Sequence, residues 1–311
     1  MGTTMPVGSV VERGGGASGD RLTRRRLTNR LLWWACGAAL LAVLAPVVSI
    51  VGGVAVHGLA HWRWSALTTQ TVGNGGGLSN AIVGTLLIVA CVLVVAGILG
   101  VAGGVYIAEY CGERRASLLR GASEVLSGVP SIVLGYVGYT VLVVALHWGF
   151  SLAAAVVVLS LLVMPYVVKT TEGALRQVPT AYREGGEALG MHRAATLRRL
   201  VLRPALPGVA TGLIVGLAIA LGETAPLLYT AGWSAQLPTA HLTHAPVGYL
   251  PYAVYEFFQQ PSPSLQQLSH LAAFLLVVLV VMLIAASRLV VAMTQRHAPE
   301  RTHRTGRSGR R

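Results

Sequence analysis

A few residues of this chain carry an ionisable or hydroxyl side chain within or beside long apolar stretches, where such groups are costly. A carboxylate at the centre of a bilayer costs about 2.5 to 3.5 kcal/mol, so it is expected to face other protein or a water-filled path. Lys169 and Glu172 are three residues apart and therefore share one face of a helix. The candidates for a polar path or gate are Glu124, Ser131, Lys169, Glu172, Glu223 and Thr224.

Glu223 is the most informative of these residues because a row of small residues precedes it. Gly208, Gly212 and Gly216 repeat every four positions, a spacing that lets a second helix pack closely on the same face. Seven residues make nearly two turns, so in a continuous helix Glu223 lies on the face of Gly216 and points into the bundle. A carboxylate repels an anion and cannot bind one alone. It could pair with an arginine of another subunit, donate a hydrogen bond when protonated, hold a gate through Thr224, or serve helix packing alone.

The composition requires membrane-spanning helices to position these residues. Apolar residues make up 54% of the 311 residues and charged residues 11%, with a mean hydropathy of +0.64, which excludes a soluble domain with a water-facing surface. A helix needs about 20 residues to cross a hydrocarbon core about 30 Å thick, and lipid requires every peptide group to be hydrogen-bonded internally. The sequence predicts an all-α membrane protein with six transmembrane helices, at 31–56, 80–108, 118–147, 150–168, 205–231 and 268–294.

The basic residues predict the orientation of these spans. If the N-terminus is cytoplasmic, 23 of the 24 lysines and arginines lie on the cytoplasmic side and only Arg63 lies outside. Both termini are therefore expected in the cytoplasm, and 232–267 is expected to be an external loop. The segments 1–30 and 296–311 are basic and have little to bury, which predicts disordered tails that contact anionic lipid. Because the net charge of +13 lies in tails and short loops, no nucleic-acid partner is predicted.

Metal, cofactor and nucleotide sites are not expected from the sequence. The three cysteines are widely spaced, and the external histidines lack carboxylate or cysteine neighbours, so neither a disulfide nor a metal site is predicted. No G-x-x-x-x-G-K-[ST] loop that could cradle phosphates of a nucleotide is present. The chain is therefore not expected to be an enzyme that hydrolyses ATP by itself.

The segment 169–204 differs from the other connections because it has helical character of its own. Thr180, after Pro179, predicts the N-cap of a helix, and Gly190 predicts its end. A second stretch, 193–203, places four arginines around leucines and a valine in an amphipathic pattern that ends at Pro204. Two short helices around a glycine form a knob that suits a groove in a partner protein; the alternative is an amphipathic helix on the lipid surface.

From Glu184 to Gly190 the sequence reads EGGEALG, which resembles the EAA loop of bacterial ABC-importer permeases. Gly185 and Gly186 stand where that pattern has alanines, and Pro204 comes one position later than its closing proline. In that family the helix docks in a cleft of a cytoplasmic ATPase and transmits its closure. The resemblance implies a role in coupling to the ATPase for Glu184, Glu187, Ala188, Leu189 and Gly190.

Three further segments are similar to PstA-type permeases of phosphate importers: VPSIVLG at 129–135, KTTE at 169–172 and GETAPLL at 222–228. The resemblance implies the type I ABC importer permease fold over 80–294, following a first transmembrane helix, in the inner membrane of a bacterium. It implies transport of inorganic phosphate with a PstC-like second permease, two PstB-like ATPase subunits and an extracytoplasmic phosphate-binding protein. Where the family carries an arginine this chain has Ile219, so direct anion pairing by this span is not expected.

Three alternatives stay open on the sequence alone. The first is a permease of the same architecture for another oxyanion, such as sulfate or molybdate. The second is a secondary transporter that works without ATP; against it, the sequence shows neither an inverted repeat nor a pair of broken helices in matching halves. The third is a membrane scaffold that recruits partners through its arginine-rich tails, for which 169–204 would be dispensable.

Overall fold

The computed structural model describes residues 16–295, with side chains described for 25–286, 288 and 289. The chain divides into two compact units after Gly53. The described part of the first unit belongs to α1 (Gly16–Ala60), which contains the predicted span 31–56. Residues 16–30 are helical, so the predicted disorder is wrong for them; 20–30 contain neither glycine nor proline and are rich in good helix formers. The other expected tail segments, 1–15 and 296–311, lie outside the described residues.

The surface of α1 is exposed and largely apolar over residues 25–50. Every side chain from 25 to 50 is exposed, including Trp33 and Trp34 at 74% and 79%. The stretch Arg25–Ala60 is long and apolar enough to cross a membrane, and none of its most apolar window is buried within the chain. These side chains therefore require lipid or another protein around them.

The other described elements belong to the second unit and are all helical except for one short β-hairpin. Thr71 pairs with Gly76 and Val72 with Gly75 in that antiparallel hairpin. The elements, in chain order, are α2 (Trp64–Thr68), β1 (Thr71–Val72), β2 (Gly75–Gly76), α3 (Ser79–Val105) with a π-helical turn (Tyr106–Tyr110), α4 (Glu113–Gly128), α5 (Ser131–Gly138) with a π-helical extension (Tyr139–Ala145), α6 (Leu152–Arg176), α7 (Ala181–Ala188), α8 (Arg193–Thr196), a π-helical segment (Leu197–Val201), α9 (Leu202–Gly222), α10 (Ala225–Thr230), α11 (Leu250–Gln259) and α12 (Pro263–Gln295).

Five helical stretches of the described chain can cross a membrane by length and composition, and a bent pair, α4 with α5, makes a sixth if it is one span. The five are Arg25–Ala60, Ser79–Tyr110, Leu152–Arg176, Arg193–Gly222 and Pro263–Ala286. The prediction of an all-α membrane protein is confirmed. The fourth span is longer than predicted, since α6 continues to Arg176 and takes in the start of the predicted loop 169–204.

The predicted third span, 118–147, is not one continuous helix. The chain bends by 92° between α4 and the helical stretch Ser131–Ala145. Val129 is extended, and Pro130 follows it at the N-cap of α5. Proline lacks an amide hydrogen and disfavours a helical conformation in the residue before it, so the break falls here although hydropathy stays high.

The predicted fifth span, 205–231, starts earlier and is broken near its end. Helical structure runs from Arg193 to Gly222 across Pro204, so the amphipathic stretch does not end there as predicted. Pro204 follows the π-helical segment, where the regular backbone pairing is already interrupted, so its missing amide hydrogen costs little. Glu223 is extended, and Pro226 occupies the first turn of α10, a favoured proline position. The predicted continuous helix over 205–231 is therefore interrupted at Glu223 and Thr224.

Helix α6 packs against α3 through backbone contacts that glycines permit. A Cβ atom added at Gly100 would lie 2.7 Å from Cβ of Val167, and one at Gly104 would lie 2.6 Å from Cβ of Thr171. Such close approach is typical of helices packed in membranes. Around this contact lies an apolar core that includes Ile88, Val92, Leu159, Val163, Leu227 and Tyr249.

The expected external loop 232–267 contains a helix of its own, α11, which packs on α12. Leu250, Ala253 and Phe257 are buried at helical spacing, so this ten-residue helix has one apolar face. The ring of Trp233 stacks on Tyr252 with centroids 4.6 Å apart. The segment is therefore a packed part of the second unit instead of a simple loop.

Candidate functional site

Glu172, one of the predicted path residues, is buried between two arginines near the end of α6. Its side chain is 8% exposed, and its Oε1 accepts a hydrogen bond from Nε of Arg120 at 2.9 Å and lies 2.8 Å from Nε of Arg176. Arg120 comes from α4 and also approaches Glu113 at 3.5 Å. Lys169 is exposed and is not among the partners that the described residues give Glu172. We call Glu172, Arg120 and Arg176 the Glu172 cluster.

A cavity of about 280 Å³ adjoins the Glu172 cluster between α4 and α6. Three of the predicted path residues line it: Glu124, Lys169 and Glu172. Glu124 lies on α4, next to Ser123 and Ser127 in the lining. Because the carboxylate of Glu172 already faces two guanidinium groups, its charge is compensated within the chain.

The other three predicted path residues lie where helices break. Ser131 is the first residue of α5, and Glu223 and Thr224 separate α9 from α10. A Cβ atom at Gly135 would lie 2.5 Å from Cα of Pro226, and one at Gly138 would lie 3.3 Å from Cγ2 of Thr230.

Contact positions therefore rise together along α5 and α10, and the two short helices run side by side in the same direction. It follows that Ser131, Glu223 and Thr224 lie at the same end of this pair. Glu223 is partly exposed and is no longer helical, so the expected alignment with Gly216 on one helix face does not hold.

The predicted packing glycines lie along the face of α9 that meets α6. A Cβ atom at Gly208 would lie 2.7 Å from Cβ of Ala174, and one at Gly216 would lie 2.9 Å from Cγ1 of Val163. Between them, a Cβ atom at Gly212 would lie 2.6 Å from Cβ of Thr170. All three distances are below ordinary van der Waals contact, so alanine does not fit at these positions without displacement of α6.

The EGGEALG segment forms helix α7, whose end is defined by Gly190. The amide of Gly190 donates to the carbonyl of Glu187 and the amide of Met191 donates to that of Gly186. With φ of +69° at Gly190, this is a Schellman motif, which glycine adopts without the cost that other residues meet. At the other end, Thr180 occupies the N-cap position but its side chain makes no capping hydrogen bond.

The residues expected to couple to an ATPase lie on the outside of α7. Leu189 is 78% exposed, and Glu184, Glu187, Ala188 and Gly190 are exposed as well. On the inner side, Gly186 is buried against Thr196 of α8, where a Cβ atom would lie 2.6 Å from the threonine side chain. Helices α7 and α8 thus form a compact knob with one solvent-facing surface, which carries an apolar side chain.

The knob and most of the spans lie in a region that matches a known protein family. Residues 100–300 match a family described as binding-protein-dependent transport system inner membrane component. The chain belongs to this family. The match covers the end of the second span and the helices that follow it, including both helix breaks and α7.

Individual relatives agree with this assignment. The chain is 50% identical over 273 residues to "Phosphate transport system permease protein PstA 2" of Mycobacterium bovis, an alignment that covers 88% of this chain and 91% of the relative. It is 33% identical to "Phosphate transport system permease protein PstA" of Yersinia pestis, with 86% and 91% covered. A chain of the MetNI methionine ABC transporter in an inward-facing conformation has a similar fold, with a TM-score of 0.56, 19% identity, and 70% of this chain and 95% of that one covered. The predicted ABC importer permease fold is confirmed.

Sequence reasoning missed the arginines that hold this permease together at one end. Arg120 enters the sequence analysis only through the count of basic residues, and its partner Glu172 lies 52 positions further along the chain. Arg183, next to the predicted coupling residues, pairs with Glu109, 74 positions away. The hydrogen bonds that Arg183 donates to Glu109 raise the pKa of its guanidinium above the ordinary value. No local pattern signals such pairs, although a charged residue beside an apolar run always requires a partner or water.

Proposed function

We propose that this chain is the permease subunit of an ATP-driven importer and forms part of the translocation path for inorganic phosphate. The observation that carries the proposal is the 50% identity to a protein named PstA 2 over 88% of the chain. The similarity extends through the segments 129–135 and 222–228, where the helices break. The sequence contains no nucleotide-binding loop, so ATP hydrolysis is assigned to a partner subunit.

The partners that we propose are a PstC-like second permease, two PstB-like ATPase subunits and an extracytoplasmic phosphate-binding protein. The exposed surface of α7 supports contact with an ATPase, because Leu189 is apolar and open to solvent while acidic side chains flank it. The coupling residues that we propose are Glu184, Glu187, Ala188, Leu189 and Gly190. The distribution of basic residues supports an inner-membrane orientation with both termini and α7 in the cytoplasm. The basic tails would then contact anionic lipid.

For the translocation path we propose two groups of residues, one at the end of the α5 and α10 pair and one at the cavity between α4 and α6. Ser131, Glu223 and Thr224 lie at one end of the α5 and α10 pair, where broken helices leave hydroxyl and backbone groups free to face an anion. Glu124, Lys169 and Glu172 line the cavity beside the Glu172 cluster. Compensation of Glu172 by two arginines means that this acid does not repel a passing phosphate as an isolated carboxylate would.

The proposal is tested by transport in a defined system. The chain, co-expressed with its second permease and ATPase subunits, is reconstituted into liposomes, the binding protein is added outside, and uptake of labelled phosphate is measured with and without ATP inside. We expect ATP-dependent uptake of phosphate and none of sulfate or molybdate. Uptake that does not depend on ATP would indicate a secondary transporter. Uptake of sulfate or molybdate in place of phosphate would identify that oxyanion as the substrate, and no uptake of any oxyanion would favour the scaffold.

A matched pair of variants separates coupling from assembly in the same system. Leu189→Asp places a charge on the exposed face of α7 and is expected to abolish co-purification with the ATPase and uptake together. Arg198→Gln changes an exposed side chain of the neighbouring π-helical segment and is expected to change neither. Normal ATPase binding by Leu189→Asp would contradict the docking assignment.

A further inference from the structure

Helix α7 is too short to be stable without contacts to the rest of the chain. It has eight residues, two of them glycines, whereas isolated helices shorter than about 12 to 15 residues are marginal in water. Its contacts must therefore fix it against the membrane-spanning part. One contact is the burial of Gly186 against Thr196, which joins α7 to α8. Another, which reaches the membrane-spanning helices, is made by the side chain of Arg183.

The guanidinium of Arg183 donates four hydrogen bonds to three different parts of the chain. Nε and Nη2 bind the two carboxylate oxygens of Glu109 at 3.2 and 2.5 Å, in the π-helical turn that follows α3. Nη2 also donates to the carbonyl of Leu175 at 3.0 Å, near the end of α6. Nη1 donates to the carbonyl of Val178 at 2.9 Å, in the link between α6 and α7.

This arrangement is stiff for two reasons. A two-point pair between a guanidinium and a carboxylate fixes both distance and orientation, which a single ammonium group cannot do. The pair is also shielded from solvent, with side-chain exposures of 27% for Arg183 and 13% for Glu109. The residues bearing the two carbonyls, Leu175 and Val178, are buried in one apolar cluster, so the anchor points themselves are fixed.

We infer that Arg183 is a positioning residue that transmits movement of α7 to α3 and α6. The inference rests on the proposed importer function, because it assigns how an ATPase seated on α7 would act on the spans. Without Arg183, α7 connects to α6 only through the four residues 177–180, and to α3 by no hydrogen bond among those found in the described chain. With it, displacement of α7 pulls on the end of α3 and the end of α6 together.

Transmission and docking depend on different side chains of α7, so they can be separated by experiment. Arg183 and Gly186 face inward, whereas Glu184 and Leu189 are exposed; Glu187 is exposed as well but lines a cavity together with Arg183 and Glu109. A change at Arg183 therefore leaves the proposed ATPase contact of Glu184 and Leu189 in place. Three quantities are measured on the complete reconstituted transporter: co-purification with the ATPase, the rate of ATP hydrolysis, and the number of phosphate ions taken up per ATP.

We expect Arg183→Gln and Glu109→Gln to keep ATPase binding and hydrolysis within about twofold of wild type while phosphate uptake per ATP falls about tenfold. Arg183→Lys keeps the charge but loses the two-point geometry, so its phosphate uptake per ATP should lie between that of these two variants and that of the wild type. The double variant should lose no more than either single variant, because both residues act as one unit. Arg198→Gln, at an exposed arginine nearby, serves as the control and should retain the wild-type phosphate uptake per ATP.

Unchanged uptake per ATP in Arg183→Lys, Arg183→Gln and Glu109→Gln would overturn the inference, as would additive losses in the double variant. Loss of ATPase binding in step with uptake would overturn it too, because Arg183 would then serve docking. Failure of the importer proposal looks different: the wild-type transporter itself would take up no phosphate. If Arg183→Gln does not fold, the milder Arg183→Lys and Glu109→Gln decide the question.

Discussion

Replacement of Gly212 by alanine should destabilise the protein by forcing α6 and α9 apart. The added Cβ atom would lie 2.6 Å from Cβ of Thr170 and still closer to its Oγ1. Thr170 cannot rotate away freely, since its hydroxyl donates to the carbonyls of Tyr166 at 2.8 Å and Val167 at 3.1 Å. The clash therefore falls on the helix backbones or breaks these hydrogen bonds.

The expected size of the effect follows from two opposing contributions. Overpacking a well-packed interior costs about 1 to 3 kcal/mol, whereas alanine in place of glycine within a helix gains up to about 1 kcal/mol. We therefore expect Gly212→Ala to lower the free energy of unfolding by about 1 to 2 kcal/mol, or the unfolding temperature by about 2 to 6 °C. Tryptophan fluorescence during heating of the purified protein in detergent measures this shift.

Two further variants make the test specific to the contact with Thr170. Gly222→Ala adds the same methyl group to the end of α9, where nothing lies within 4 Å of it, and should change stability by less than about 0.5 kcal/mol. Thr170→Gly in the Gly212→Ala background removes the opposing side chain, and the two changes should be non-additive by about 1 kcal/mol or more. A Gly212→Ala protein as stable as wild type would refute the close approach of the two helices.

Three other predictions concern single residues. Glu172→Gln should lower the free energy of unfolding by about 1 to 2 kcal/mol, because it removes the buried carboxylate that Arg120 and Arg176 share; thermal unfolding measures it. Gly190→Ala should weaken co-purification with the ATPase, since alanine at a φ of +69° costs about 1 kcal/mol and opens the end of α7. Tyr249→Phe should raise stability by up to about 1 kcal/mol, because its buried hydroxyl has no partner in the described chain; thermal unfolding at neutral and alkaline pH measures it.

The alkaline arm of the last experiment has a definite sign. Burial raises the pKa of Tyr249, so the folded state keeps this hydroxyl neutral while the unfolded state ionises it above about pH 10. The wild-type protein should therefore lose stability above that pH to a greater extent than Tyr249→Phe. Equal alkaline losses would contradict this reasoning. Lys169→Gln, an exposed change near the Glu172 cluster, is the control for Glu172→Gln and should leave the unfolding temperature unchanged.

Hydropathy and local motifs predict the membrane class, the helical fold, and the helix whose end is defined by Gly190, because each depends on residues close together in sequence. The bend before Ser131 and the break at Glu223 escape hydropathy, since apolar residues continue across both. Pro130 and Pro226 mark these places, but proline also occurs inside α9 at Pro207, where the helix continues.

The contacts between distant parts of the chain could not be predicted. The pairing of Arg120 with Glu172, and of Arg183 with Glu109, depends on how α4 and α7 pack, which no local pattern encodes. Glu223 shows the converse error: its predicted direction assumed one unbroken helix from Gly216, and a single extended residue removes that relation. Tertiary packing decides these positions.

The glycine contacts on two sides of α6 limit how the molecule can change shape. Where backbones meet directly, few side-chain rotamers can exchange, so α3, α6 and α9 are expected to move as one rigid frame. The pair of α5 and α10 is held to the same frame, because Gly138 of α5 lies directly against Val158 of α6 and Leu227 of α10 is buried with Leu159 and Val163. Bending is therefore expected in the segments that lack such contacts, Val129-Pro130 and Glu223-Thr224, and not between the packed helices.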